Sequence, residues 1–120
     1  MDMRPIGVFD SGLGGLTAVR SLRQILPEEN LIYFGDTARV PYGSKSKETV
    51  TRYSRQIVRF LESQDVKAIV IACNTASAYA LPELEKEVGI PIIGVVKLGA
   101  KVASETTKNG KICVIATEGT

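Results

Sequence analysis

At 120 residues the chain fits a single α/β-sized unit able to bury a core. It is 44% hydrophobic and 23% charged, the balance of an ordinary globular protein, with no apolar run of membrane-spanning length and no signal-peptide pattern. Fifteen basic against thirteen acidic residues leave only +2, too little to argue for nucleic acid or a membrane surface.

Histidine is absent, so any acid–base work falls to Cys, Asp, Glu, Lys or Tyr. The two cysteines lie forty residues apart outside any C-x-x-C, which suggests neither a disulfide framework nor a zinc site. Reduced thiols in a cytoplasmic protein are the expectation.

The run from Ile6 to Asp10 reads as a buried strand ending in a carboxylate, followed by a glycine-rich turn, Ser11 to Gly15. Leu16, Val19, Leu22, Ile25 and Leu26 then form one helical stripe, stopped by Pro27. Asn30 to Asp36 is the second strand. After a loop, Ser46 is the N-cap of a second helix carrying Val50, Tyr53, Ile57, Phe60 and Leu61. Lys67 to Cys73 is the third and most apolar strand, expected at the sheet centre. A helix from Thr75 to Val88 is expected to break or kink at Pro82 and to stop at Gly89. Pro91 to Val96 is strand four, Leu98 to Lys108 a fourth helix, and Lys111 to Ala116 strand five. Strict alternation with short loops means a doubly wound, flavodoxin-like parallel sheet, right-handed at each crossover. The turn Thr117 to Thr120 reads as the lead into a further helix, so the chain is expected to be the N-terminal portion of a longer one.

Three polar clusters fall where strands end: Asp10-Ser11 with Gly12, Gly14 and Gly15; Pro41-Tyr42-Gly43-Ser44; and Ala72-Cys73-Asn74-Thr75. The carboxyl edge of an open parallel sheet is where ligands bind. The glycine loop could be a dinucleotide fingerprint, with Asp36 placed for a ribose. Against that, the third glycine position holds Thr17, and Asp10 would repel a pyrophosphate and suits an ammonium group better. Cys73, beside Asn74 and Thr75 before a helix, is open between core filler and reactive thiol, since helix N-termini favour thiolates. Cys113, between Ile112 and Val114, reads as core filler. The Pro41 loop is either a plain turn or a turn whose N–H groups take a carboxylate.

Taken together, the segments around Asp10-Ser11, Asp36 to Gly43 and Ala72 to Thr75 resemble the signature segments of the glutamate racemases, in order and at matching spacing, from about Ile6 to Thr120. The resemblance implies a cofactor-independent, metal-free enzyme that interconverts L- and D-glutamate for peptidoglycan, using two thiols on opposite faces of the substrate. By position, Cys73 is one acid/base thiol. Asp10 and Ser11 hold the substrate, with Asp10 facing its ammonium group. Tyr42 and Gly43 bind a carboxylate, and Asn74 and Thr75 contact substrate as well. The family's second thiol belongs to a second α/β domain, largely missing here, and Cys113 does not match its motif. Residues 1–97 would form the first domain, and 98–120 the crossover helix and first strand of the second. Lys97-Leu98 stands where the family usually has Glu-Pro, at the crossover between domains. A related aspartate or hydantoin racemase and a non-catalytic flavodoxin-like binding module are the rival readings. Homodimerisation is left open.

Overall fold

The computed structural model describes residues 1–120. In chain order the elements are β1 (Ile6–Asp10), α1 (Leu16–Ile25), β2 (Leu31–Gly35), α2 (Lys47–Ser63), β3 (Ala68–Ile71), α3 (Asn74–Glu87), β4 (Ile92–Gly94) and α4 (Val95–Thr106). The four strands form one parallel sheet in the order β2-β1-β3-β4. This is the expected doubly wound α/β arrangement. Right-handed crossovers put α1 on one face and α2 and α3 on the other, where those two helices pack together.

Most of the core lies under α2 and α3. Val50, Ile57, Val58 and Leu61 from α2 meet Ala76, Ala80, Leu81 and Leu84 from α3 over Phe9, Ile69 and Ile71 of the sheet. Each large apolar side chain removed from water there contributes about 1.5–3 kcal/mol. Ser46 caps α2 as its sequence position predicts, its hydroxyl accepting from the Thr49 N–H at 3.1 Å. Below that helix, Gly7 leaves room for Leu61, whose methyl would lie 3.1 Å from a β-carbon.

Strand β3 lies at the sheet centre as expected, beside β1, whose five residues are all buried, whereas β3 alternates. Several other expectations need correction. Pro82 does not break α3, which runs through it to Glu87 because Ala80, Leu81 and Leu84 on either side are held in the core. The helix ends before Gly89, with Val88 already extended. The stripe on α1 is only half used: Val19 and Leu22 are half-buried, while Leu16 and Ile25 are exposed. Helix α4 starts at Val95 rather than Leu98.

The largest departure concerns Lys111 to Ala116, which forms no strand. An apolar run becomes a strand only beside a partner that supplies its backbone hydrogen bonds. No strand of this chain lies beside this one, and Ile112, Val114 and Ile115 are exposed. Cys113 is exposed with them and is therefore not core filler. No helix is long and apolar enough to cross a membrane.

Candidate functional site

Parallel register brings the three polar clusters abreast. Asp10 pairs with Gly35, and Phe9 with Ile71. Two bonds extend the ladder past the strand ends: Asp36 N–H donates to Asp10 O at 2.9 Å, and Ala72 N–H to Phe9 O at 2.8 Å. Asp10, Asp36 and Cys73 thus lie at one edge because each is the first polar residue after its apolar run.

At that edge opens a cavity of about 680 Å³. Asp10, Ser11 and the glycine loop form one wall, and Tyr42 and Gly43 another. Cys73, Asn74 and Thr75 line the floor, and Ile115, Ala116, Thr117 and Thr120 come in from the end of the chain. Every site residue expected from the sequence is in the lining. The last four were missed, because their segment was assigned to a strand and a turn beyond it.

The Asp10 carboxylate is buried, and its Oδ2 accepts from the Gly15 N–H at 2.7 Å. Gly15 has to be glycine: a β-carbon there would stand 2.6 Å from Asp10 Cβ. This bond also decides the nucleotide question. In a dinucleotide site the amides opening the first helix face a pyrophosphate. Here the Gly15 amide faces a carboxylate of the chain itself. Tyr33, not singled out by the sequence, donates from its hydroxyl to Gly12 O at 2.7 Å and ties the loop to β2. Burial, and then the nearby Asp10 charge, push the Tyr33 hydroxyl above its ordinary value.

Cys73 occupies the N-cap position of α3 and is buried, 6% exposed. Its sulfur accepts from the Ala76 N–H at 3.4 Å and its thiol donates to Ser11 Oγ at 3.5 Å. The positive end of the α3 dipole therefore faces the sulfur. The floor meets the first wall at this sulfur, since the Ser11 hydroxyl in turn donates to Asp10 Oδ1 at 3.5 Å. Asn74 opens the helix with its side chain exposed, and Thr75 Oγ1 lies 2.8 Å from Thr117 Oγ1.

The Tyr42 ring faces inward. It is 1% exposed, and its hydroxyl donates to Asp36 Oδ2. The same oxygen takes the Arg39 Nε–H at 2.7 Å, and the Arg39 guanidinium lies over the Tyr53 ring, 3.9 Å from its centre. So the Tyr42 hydroxyl anchors the loop to a buried carboxylate, and what the loop offers the cavity is backbone. Gly43 sits so close to Thr117 that a β-carbon would lie 2.5 Å from its methyl.

Tyr42→Phe removes the anchor and leaves Asp36 with Arg39 alone, which should cost about 1.5–3 kcal/mol at neutral pH, the range for bonds to charged groups. Burial, and then the bond to Asp36, hold the Tyr42 hydroxyl far above its ordinary 10.0, so the folded state keeps a proton that the unfolded state releases. This contribution is fully present below about pH 10 and is lost as pH rises further. Urea unfolding should therefore show a gap between parent and variant that narrows on the alkaline side. An equal gap at pH 7 and pH 11 would mean that the hydroxyl does not anchor the loop.

Comparison with known proteins places these features in context. A family profile described as Asp/Glu/Hydantoin racemase matches residues 11–120. The chain is 55% identical over 120 residues to the glutamate racemase of Geobacter metallireducens, covering all of this chain and 44% of that protein. It is 59% identical over 118 residues to the glutamate racemase of Neisseria meningitidis serogroup B, covering 98% of this chain and 44% of that one. Among solved structures it resembles Thermus thermophilus glutamate racemase in complex with β-chloro-D-alanine, with a TM-score of 0.83 and 54% identity over 88% of this chain and 41% of that one. It is also similar to Francisella tularensis glutamate racemase in complex with D-glutamate, with a TM-score of 0.82 and 51% identity over 88% and 40%. The chain spans less than half the length of these relatives.

Proposed function

We propose that this chain, which belongs to the Asp/Glu/Hydantoin racemase family, forms one wall of a glutamate racemase active site and carries one of its two acid/base thiols. The observation behind the proposal is the Cys73 sulfur, held at the N-terminus of α3 in a cavity whose other groups are suited to an amino acid. A carboxylate at Asp10 matches the substrate ammonium. Backbone N–H groups of the Tyr42-Gly43 loop, with the Asn74 and Thr75 side chains, match its carboxylates.

In the forward direction the Cys73 thiolate, or its counterpart on the other face, takes the α-proton, and the bonding electron pair stays on the α-carbon as a carbanion. A thiol on the opposite face then delivers a proton, and the configuration inverts. The two sulfurs exchange protonation states, so the reverse reaction starts from the product of the forward one. Cys113 does not line the cavity, so the second acid has to come from chain beyond these elements. The proposal requires no metal or organic cofactor and fits a cytoplasmic enzyme supplying D-glutamate for peptidoglycan. The boundary near residue 97, with α4 leading toward a second domain, belongs to the same proposal.

The test uses the full-length protein. L-Glutamate incubated with it, with chelator and a carbonyl reagent present, should lose its circular dichroism signal toward zero as the D-form accumulates. Activity abolished by those reagents would overturn the cofactor-free mechanism. Turnover of aspartate or a hydantoin in place of glutamate would overturn the substrate, and binding without turnover would leave a binding module.

A further inference from the structure

Arg39 has no part in the chemistry above, yet its guanidinium makes three contacts at once. Its Nε–H donates to Asp36 Oδ2 at 2.7 Å, an Nη1–H donates to Gln56 Oε1, and its central carbon lies 3.9 Å from the centre of the Tyr53 ring. Tyr53 and Gln56 are neighbours three residues apart on α2, a helix held in the core by Val50, Ile57, Val58 and Leu61. That helix therefore gives the guanidinium a fixed seat. From there every step to the cavity is a direct contact. Asp36 is 5% exposed, and the oxygen that takes Arg39 also takes the Tyr42 hydroxyl. Tyr42 lines the cavity, together with Val40, Pro41 and Gly43 beside it. The backbone of Asp36 is tied to the other wall by its N–H, which donates to Asp10 O.

We propose that Arg39 is a positioning residue for the Tyr42-Gly43 loop: seated on Tyr53 and Gln56, it aims the Asp36 carboxylate at the Tyr42 hydroxyl and so fixes where the loop backbone meets the cavity. Asp36 joins the Asp10 wall to the Tyr42 wall, and Arg39 is the cation that pairs with its buried charge. A buried carboxylate left without a cation is costly and draws in water or a proton, either of which competes with the Tyr42 hydroxyl. A lysine ammonium supplies the charge alone. It has neither the planar face that lies over Tyr53 nor the fork that reaches Asp36 and Gln56 together.

The inference rests on the racemase reading only for its kinetic readout. In the full-length protein, Arg39→Lys should raise KM for glutamate about tenfold while kcat changes less than about threefold, the pattern of binding lost equally in ground and transition states. Without substrate, hydrogen–deuterium exchange followed by mass spectrometry should become several-fold faster in the peptide spanning residues 42–45. Peptides from β1, β3 and α3 should keep the parent rates. Gln56→Ala, an exposed change that leaves the ion pair in place, should move both readouts the same way by less. Because Arg39 acts through the Tyr42 hydroxyl, adding Arg39→Lys to Tyr42→Phe should raise KM and loop exchange no further. If Arg39→Lys does not fold, Gln56→Ala carries the test, alone and combined with Tyr42→Phe. Unaltered KM and loop exchange would overturn the proposal, as would additive effects in the Tyr42→Phe background or exchange raised evenly along the whole chain. If the parent protein does not racemise glutamate, the exchange rates still show whether Arg39 holds the loop.

Discussion

Cys73→Ala in the full-length enzyme should reduce racemisation at least ~100-fold in both directions, the lower end of what a positioned proton-transfer group contributes. No neighbour can substitute. Ser11 Oγ, the nearest side-chain partner at 3.5 Å, is a far weaker base, and the chain has no histidine. The structural cost is small by comparison. Alanine removes a buried sulfur that accepts from Ala76 N–H, so the loss is that of a modest helix cap, about 1 kcal/mol. Cys73→Ser separates the two effects: its hydroxyl caps α3 as well or better, so stability returns while activity does not. Steady-state kinetics and thermal unfolding of the three proteins check this. Retention of a tenth of the parent rate in either variant would remove Cys73 from the chemistry.

That Cys73 could be picked out at all follows from the parallel sheet. A strand buried on both faces is apolar throughout, so its first polar residue marks the end where ligands bind, and Asp10, Asp36 and Cys73 each stand there. The Ser46 cap was legible for a similar reason, since its hydroxyl acts three residues away. Contacts between residues far apart in sequence were not legible. Nothing in Pro41-Tyr42-Gly43 says that the Tyr42 hydroxyl turns back to Asp36. Thr117 went unnoticed because its partners, Gly43 and Thr75, lie 74 and 42 residues before it.

The Lys111 to Ala116 run failed in another way. Its alternation and β-branched residues are those of a strand, and local preference was the only information available. Whether such a run pairs depends on an open edge beside it, which composition does not encode. The same misreading made Cys113 look inert, whereas its sulfur is in solvent.

The 120-residue chain by itself should form D-glutamate at least ~1000-fold more slowly than a full-length glutamate racemase assayed beside it, within the range that a positioned acid–base group supplies. It presents Asp10, Ser11, the Tyr42-Gly43 loop, Asn74, Thr75 and Cys73 on one side of the cavity, enough to take up glutamate weakly. Inversion needs a proton delivered to the face turned away from Cys73, and on that face the cavity holds no second thiol. Water there is neither positioned nor excluded, and holding the reacting groups in place is a large share of such a rate. One thiolate can still remove the α-proton and return it to the same face. In D2O, given each enantiomer separately, the chain should therefore incorporate deuterium into the enantiomer whose α-hydrogen faces Cys73 faster than it converts that enantiomer into the other. Far-UV circular dichroism establishes that the chain is folded, and chiral chromatography with mass spectrometry separates exchange from inversion. Cys113→Ser should change neither rate. If α-deuterated D-glutamate appeared rapidly and vanished in Cys113→Ser, the exposed thiol would be the second acid, and the segment from Lys111 to Ala116 would have to fold back over the cavity to bring it there.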